Sequence, residues 1–298
     1  MSASSLHYFL ASNLLFLILS VSQTADILSD ESMPGGVAVV GMHRSSTSLM
    51  CGLLSKHGFY AGDPGDLVGA QFFNPKGLFE LRDVLTVDNL MLKEQNMIWS
   101  SSNIGEFRSP RSLQNRKYYS SMLNSVKLLE ANAPWVLKEP RLCVTLQTWL
   151  PLFRTPPAVV FLYRNPLQVA SSLQKRERNV KKKKTLDYWV HLWMVYNQVA
   201  LRQTKDLCKV VVCHDDLVSD PAGQLNRILE ELSLRCGLPT QAVQQSVVAS
   251  FFRSDLDHHT QQLPLTEQCR NTTTQQTPTL RNAMDLYCSM LSGEAFED

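Results

Sequence analysis

Short apolar runs alternate along the chain with longer stretches in which apolar residues recur at helical spacing. Four runs are rich in β-branched and aromatic residues, as is typical of strands buried on both faces: Val37–Val40, Trp135–Leu137, Ala158–Tyr163 and Lys209–Cys213. Helical spacing marks the segments Thr47–His57, Leu81–Leu92, Tyr118–Leu129, Leu142–Phe153, Leu167–Leu173 behind Pro166, Thr185–Thr204, Asp220–Leu232 and Thr279–Leu291. Strands that alternate with helices predict an α/β fold of three layers (α/β/α) around a central parallel sheet.

The first 36 residues precede this pattern and form a hydrophobic segment with a short linker. Tyr8–Val21 is strongly apolar but shorter than the about 20 residues that a spanning helix needs. A signal-peptide core, a short signal-anchor and a hydrophobic helix packed on the domain all fit it. We expect an endomembrane address, in the Golgi lumen or elsewhere in the secretory pathway, with residues 8–21 as a candidate membrane contact; a cytoplasmic address is the alternative. Residues 37–298 are expected to form a single domain with a polar extension from about residue 254.

Composition and charge narrow the classes of function. With 29 Lys and Arg against 27 Asp and Glu, the net charge of +2 gives no chain-wide basic field for nucleic acid. The 7 cysteines include no C-x-x-C pair and no His at zinc-finger spacing, so no metal site is predicted. Cys51, Cys143 and Cys213 lie in apolar runs as candidate buried thiols, whereas Cys269 and Cys288 could pair if that end is extracytoplasmic. The oligomeric state is left open.

The segment between the first strand and the first helix parallels the P-loop G-x-x-x-x-G-K-[ST]. Gly41 takes the first position and Ser48 the Ser/Thr position, but Ser46 replaces the second Gly and Thr47 replaces the Lys that reaches β- and γ-phosphates. A helix N-terminus still offers N–H groups to an anion. Further donors are the charge of Arg44 and the hydroxyls of Ser45, Ser46, Thr47 and Ser48. The loop therefore indicates a P-loop NTPase-like fold that holds a nucleotide without a triphosphate, the alternative being a serine-rich N-cap.

A second candidate anion site follows the strand Ala158–Tyr163. Arg164 stands at the carboxyl end of this strand, and Ser172 lies eight residues further on in the next helix. Ligands of open α/β folds bind at the carboxyl ends of the strands. Arg164 and Ser172 are therefore expected to meet the loop that follows the first strand.

With these two segments the chain resembles the sulfotransferase superfamily, which uses 3′-phosphoadenosine 5′-phosphosulfate (PAPS) as the sulfuryl donor. In that family a modified P-loop holds the 5′-phosphosulfate, and a strand-end Arg with a Ser eight residues later holds the 3′-phosphate. Gly41–Leu49 (GMHRSSTSL) and Arg164–Ser172 (RNPLQVASS) match these elements in the same order. The resemblance implies PAPS as co-substrate without a metal, bound by Gly41, Arg44, Ser45, Ser46, Thr47, Ser48, Arg164 and Ser172.

Two further segments resemble the bacterial-type and tyrosylprotein branches of the same superfamily. Trp135–Cys143 is similar to the K-[DE]-P-R-L element. Val211–Pro221 is similar to the Y-E-D-L…D-P element, with His214 at the aromatic position. The likeness extends over about Val37–His258.

Sulfuryl transfer needs an activated acceptor hydroxyl and stabilisation of the charge on the leaving phosphate. Arg44 and Lys138 are the candidates for the cationic clamp, and the resemblance places a Lys at the position of Lys138; a surface Lys paired with Glu139 is the alternative. For the general base, Glu80 stands in an E-x-R context like that of the tyrosylprotein branch. The alternative for Glu80 is a carboxylate in the first turn of a helix, with Glu139 and Asp83 as reserve candidates for the base.

Two further features have both a structural and a functional interpretation. Arg176, Arg178 and Lys181–Lys184 form a basic run that is either a solvated loop or a contact for an acidic acceptor or the 3′-phosphate. A helical stripe at i, i+4 and i+7, formed by Trp189, Trp193 and Tyr196, is expected in the core, and a platform for the substrate is its functional alternative.

The function that the sequence favours is transfer of a sulfuryl group from PAPS to a hydroxyl of a carbohydrate, a protein tyrosine or a small alcohol. The sequence does not choose among these acceptors. The alternatives are a P-loop nucleotide kinase or NTPase, and an inactive nucleotide-binding protein of the same fold.

Overall fold

The computed structural model describes residues 33–69, 77–177, 183–252, 269 and 277–297. Within these ranges four strands form one parallel sheet: β1 (Gly36–Val40), β2 (Trp135–Lys138), β3 (Ala158–Tyr163) and β4 (Lys209–Cys213). Their order is β2-β1-β3-β4, so β1 and β3 are central. The predicted parallel sheet is confirmed.

The helices described fall close to the segments with helical spacing. They are α1 (Thr47–Lys56), α2 (Arg82–Glu94), α3 (Tyr119–Glu130), α4 (Leu142–Trp149), α5 (Pro166–Arg176), α6 (Leu186–Gln203), α7 (His214–Ser219), α8 (Pro221–Cys236), α9 (Gln245–Phe251) and α10 (Pro278–Ser292). Single 3₁₀ turns occupy Ile104–Glu106, Leu150–Leu152 and Glu294–Phe296. The short helices α7 and α9 are not predicted by the sequence pattern, because one or two turns show too few apolar repeats.

Each face of the sheet is covered by helices, which gives the expected three layers. Ala38, Val40 and Phe161 belong to the core on one face, together with α2–α6 and α10. Val37 and Val39 belong to the core on the other face, with α1, α8 and α9. The aromatic stripe of α6 is fully buried in the first core, as predicted: Trp189, Trp193 and Tyr196.

The parallel arrangement brings the chemistry-bearing segments to one edge of the sheet. Gly41, Glu139, Arg164 and His214 are the residues that directly follow β1, β2, β3 and β4. The register pairs Val39 of β1 with Lys138 of β2, so the lysine lies level with the start of the loop. The candidate site residues therefore share the carboxyl edge, where open α/β sheets bind ligands.

Two disulfides tie outer parts of the fold together. Cys269 and Cys288 are bonded, and Cys208 at the start of β4 is bonded to Cys236 at the end of α8. The sequence left the first pair open and did not indicate the second. The three thiols expected to be buried are buried and free: Cys51, Cys143 and Cys213.

Several of the expectations fall outside the described residues. The apolar run Tyr8–Val21 belongs to this group, as do Arg178, Lys181 and Lys182 of the basic run. Of the helices that are described, none has the length and apolar character to cross a membrane. The division into residues 1–36 and 37–298 and the membrane contact stay predictions.

Candidate active site

The loop between β1 and α1 has a backbone that requires particular residues. A Cβ on Gly41 would lie 2.5 Å from the carbonyl oxygen of Leu162 in β3, so only glycine allows the close approach of the two strands. Arg44 (φ 72°) and Ser46 (φ 65°) take the left-handed conformation. Ser46 thus adopts at the second P-loop position the backbone geometry for which glycine is the usual residue.

The loop presents hydrogen-bond donors to an anion at the start of α1. Ser46 is the N-cap residue, but its side chain makes no hydrogen bond to the first turn. The N–H groups of that turn have no intrahelical partner and point out of the helix end. Ser45 is 1% exposed, and its Oγ has no hydrogen-bond partner among the described residues. A buried unsatisfied hydroxyl in such a loop fits a phosphate or sulfate oxygen.

The second anion motif contacts the loop directly. Arg44 Nε donates a hydrogen bond to Ser172 Oγ at 2.8 Å, across 128 residues of sequence. Arg164 Nη1 donates to the carbonyl oxygen of Arg44 (3.4 Å), and Arg164 Nε donates to Gln168 (2.7 Å). The Asn165 side chain caps the first turn of α5 and fixes the helix that carries Ser172. The loop, Arg164 and Ser172 therefore form one site.

Lys138 connects the loop to the carboxylate suggested as the base. Its Nζ donates to Ser48 Oγ (3.1 Å) and to Glu80 Oε1 (2.7 Å). Lys138 is 1% exposed, so it is not a surface lysine, and its ion-pair partner is Glu80 instead of Glu139. Glu80 precedes α2, which begins at Arg82, and is therefore not a first-turn carboxylate. The structure therefore excludes a surface Lys138 paired with Glu139, and it excludes Glu80 as a carboxylate in the first turn of a helix.

The other carboxylates near the site, which include the reserve candidates Glu139 and Asp83, differ from Glu80 in their surroundings. Glu139 accepts a hydrogen bond from the backbone N–H of Arg141 (2.6 Å) and pairs with the Arg141 guanidinium. Asp88 on α2, fully buried, accepts from Trp149 Nε1 at 2.9 Å. Burial raises the pKa of Glu139 well above its usual value and that of Asp88 to about 6. Glu139 is thus part of a buried network that holds Arg141, and Asp83 is exposed.

Several cationic side chains act on the residues of the loop. Burial lowers the pKa of His43 well below its usual value of 6.5, and repulsion from Arg141, Arg176, Lys138 and Arg44 lowers it further. The imidazole is therefore neutral at pH 7. Burial also lowers the pKa of Arg44, with repulsion from Arg176 as the second cause. A group of cations of this kind suits an anionic ligand.

Aromatic residues form one wall beside the loop. The ring of Trp99 lies 4.5 Å from the ring of His43 and is stacked on Trp189 at 5.9 Å between centroids. Tyr196 Oη donates to the carbonyl oxygen of Trp99 (2.7 Å) and so fixes this turn on α6. The guanidinium of Arg176, from the basic run, lies 5.8 Å from the Trp99 ring centroid.

Three residues of this edge were missed or not assigned a role by the sequence analysis. Asp88 stands in the apolar stripe of α2, and a polar residue at a buried helical position is the signal that was available. Trp99 lies in a loop between helices, where no periodic pattern applies. His214 follows β4 and hydrogen-bonds Ser46, a contact that no local pattern predicts.

The part of the chain that the structure describes contains no cluster of three or more His, Cys, Asp or Glu side chains that could hold a metal ion. The side chains that these contacts bring together are cations, hydroxyls and carboxylates. This donor set suits an anionic substrate and a proton transfer.

Comparison with known proteins agrees with this chemistry. The model of a sulfotransferase family matches residues 34–238, which is more than half of the chain. No curated protein matches the sequence significantly.

Among solved structures, the sulfotransferase domain from the curacin biosynthetic pathway is 15% identical (TM-score 0.46; 76% of this chain and 80% of that chain covered). The sulfotransferase domain of the Synechococcus PCC 7002 olefin synthase is also 15% identical (TM-score 0.46; 87% and 96% covered). Sulfotransferase STF1 from Mycobacterium tuberculosis H37Rv is 16% identical (TM-score 0.43; 80% and 77% covered). The match of the family model over more than half of the chain shows that this chain belongs to the sulfotransferase family.

Proposed function

We propose that this sulfotransferase takes its sulfuryl group from PAPS and transfers it to an acceptor hydroxyl. The observation that carries the proposal is the hydrogen bond from Arg44 Nε to Ser172 Oγ at 2.8 Å. It joins the phosphate loop to the strand-end motif, so one bound nucleotide can reach both. A donor with phosphate at both its 3′ and 5′ positions needs such a double anchor.

The 5′-phosphosulfate would lie at the N-terminus of α1, held by the loop Gly41–Ser48. Ser45 supports this placement, because its buried hydroxyl lacks a partner among the described residues. For Ser46 we propose a contact through the backbone N–H, since its hydroxyl is bonded to His214. Arg164 and Ser172 would hold the 3′-phosphate, with charge-assisted hydrogen bonds from the guanidinium.

In the reaction, the acceptor oxygen forms a bond to sulfur while the bond from sulfur to the bridging oxygen of the donor breaks. The products are a sulfate ester and 3′,5′-ADP, and the hydroxyl proton goes to Glu80. Lys138 and Arg44 would stabilise the charge that develops on the bridging and sulfuryl oxygens. Support for these roles comes from the Lys138 Nζ contacts with both Ser48 of the loop and Glu80.

We also propose an oxidising compartment, such as the secretory pathway, as the location of the folded domain. The disulfides Cys208–Cys236 and Cys269–Cys288 support this, because disulfides persist mainly outside the cytosol.

The experiment that tests the proposal is sulfuryl transfer from labelled PAPS to a panel of carbohydrates, tyrosine peptides and small alcohols. We expect label in at least one class of product, and loss of that label in the Lys138→Ala variant. A protein that binds 3′,5′-ADP but transfers label to no member of the panel would be a nucleotide-binding protein of this fold. Binding of ATP with Mg²⁺ in preference to 3′,5′-ADP would instead favour a kinase or NTPase.

A further inference from the structure

Two departures from the family pattern contact each other in this chain. Ser46 stands where the P-loop has glycine, and His214 stands at the aromatic position of the segment after β4. A hydrogen bond of 2.7 Å joins Ser46 Oγ and His214 Nδ1, although 168 residues separate them in sequence. The two unusual residues therefore form one structural unit.

The surroundings of this hydrogen bond make it well defined. His214 is 3% exposed and lies in the first turn of α7, directly after the last residue of β4. The carboxylate of Asp215 lies 3.9 Å from His214 Nε2. Ser46 has φ 65° and forms the N-cap of α1. The histidine thus reaches the serine from a fixed position at the same edge of the sheet.

The hydrogen bond fixes the Ser46 side chain while the Ser46 backbone stays left-handed. A serine that caps a helix with its own hydroxyl has an extended backbone at the N-cap position. Ser46 instead has φ 65° and ψ 19°, and its side chain makes no hydrogen bond to the first turn of α1. This conformation is strained for a residue other than glycine, and the bond to His214 offsets part of that strain. It leaves the N–H groups of the first turn open to a ligand, next to the buried Ser45 hydroxyl that has no hydrogen-bond partner among the described residues.

We propose that His214 is a positioning residue for the sulfuryl donor, acting through Ser46. By bonding the Ser46 hydroxyl, it holds Ser46 in the left-handed conformation that leaves the first-turn N–H groups of α1 to the anionic end of the donor. The inference rests on the proposed function, because it assigns the occupant of the loop as the 5′-phosphosulfate. It explains how serine replaces glycine here: the left-handed backbone is kept, and the added hydroxyl is bonded away from the anion.

The test is a double-mutant cycle with 3′,5′-ADP titrated calorimetrically into the full chain. Without the His214 bond, Ser46 can relax out of its strained left-handed conformation and distort the loop, so His214→Phe should weaken binding by about 3- to 10-fold. Ser46→Gly should bind within about threefold of wild type, because glycine adopts the same φ without strain. In the Ser46→Gly background, His214→Phe should cost less than about twofold, since glycine keeps this φ without help from the histidine.

A matched control lies at the other end of the same helix. His57 is also buried, and its Nδ1 is 2.8 Å from the carbonyl oxygen of Leu53 in the last turn of α1. His57→Phe removes this bond and the one that His57 Nε2 accepts from the Gln244 N–H (3.2 Å), so it should lower the melting temperature without changing nucleotide affinity by more than about twofold. A merely structural role of His214 would behave in the same way, and Ser46→Gly would not rescue it.

The outcomes separate this inference from the proposed function. Rescue of His214→Phe by Ser46→Gly supports the inference. If His214→Phe lowers the affinity for 3′,5′-ADP equally in the wild-type and the Ser46→Gly backgrounds, the inference is overturned. It is also overturned if Ser46→Gly alone lowers this affinity more than tenfold, because the Ser46 hydroxyl would then itself be a ligand. If His214→Phe does not fold, the nucleotide affinity of the Ser46→Gly variant still tests the inference. A wild-type chain that binds no 3′,5′-ADP overturns the proposed function, and this inference with it.

Discussion

Replacing Glu80 with Gln tests the proposed base with the least change in shape. Glu80 Oε1 lies 2.7 Å from Lys138 Nζ, and the two side chains are 7% and 1% exposed. Gln keeps the size and can still accept a hydrogen bond from the lysine, but it cannot accept a proton. We therefore expect a folded protein that has lost about 1–3 kcal/mol of stability.

The kinetic effect should be larger than the effect on stability. Loss of a general base typically lowers the rate by about 10²- to 10⁴-fold. Donor affinity should be unchanged or slightly higher, because Glu80→Gln removes a negative charge beside an anion site. The defect should also shrink for more acidic acceptors, such as a nitrophenol, whose proton leaves without help.

The assay measures single-turnover transfer from labelled PAPS to a simple alcohol and to a nitrophenol, with 3′,5′-ADP affinity and melting temperature followed in parallel. The Asp83→Asn variant is a matched control, since Asp83 is an exposed carboxylate three residues away and should transfer at the wild-type rate. Near-wild-type turnover of Glu80→Gln with the alcohol would refute the assignment, and Glu139 would become the next candidate.

Three other predictions follow from the same geometry. Arg164→Ala should weaken 3′,5′-ADP binding by about 10- to 150-fold and Ser172→Ala by less, as measured calorimetrically, because charge-assisted bonds are the stronger; unchanged affinity would contradict the 3′-phosphate site. Lys138→Ala should lower kcat at any acceptor acidity with little change in donor affinity, so an effect confined to binding would contradict a clamp. Gly41→Ala should lower the melting temperature or prevent folding, because its Cβ would lie 2.5 Å from the Leu162 carbonyl oxygen; a wild-type melting curve would contradict that steric conflict.

The sequence predicts the sheet well because β1, β2 and β3 are buried along their whole length, and β4 is buried on one face. Ala158–Tyr163 and Lys209–Cys213 were expected over the same residues that the structure shows. Continuous apolar runs of this kind have few alternatives in an α/β chain. Since all strands are parallel, the order of motifs also predicts that their carboxyl ends meet, and the Arg44–Ser172 hydrogen bond is consistent with that expectation.

The sequence does not predict contacts between side chains that are far apart along the chain. The Lys138–Glu80 ion pair joins β2 to the residues before α2, and the alternative partner Glu139 is the lysine's immediate neighbour in sequence. The bond between Ser46 and His214 is of the same kind. Such pairs depend on side-chain directions at the sheet edge, which hydrophobic periodicity does not encode.

The proposed site holds one nucleotide by separate 3′ and 5′ anionic groups. Calorimetric titration of the full chain with 3′,5′-ADP, 5′-AMP and ATP with Mg²⁺ measures the contribution of each group to binding. Because Arg164 and Ser172 are assigned to the 3′-phosphate, 3′,5′-ADP should bind at least about tenfold more tightly than 5′-AMP, and ATP with Mg²⁺ should bind more weakly than 3′,5′-ADP. Equal affinity for 3′,5′-ADP and 5′-AMP would contradict this assignment.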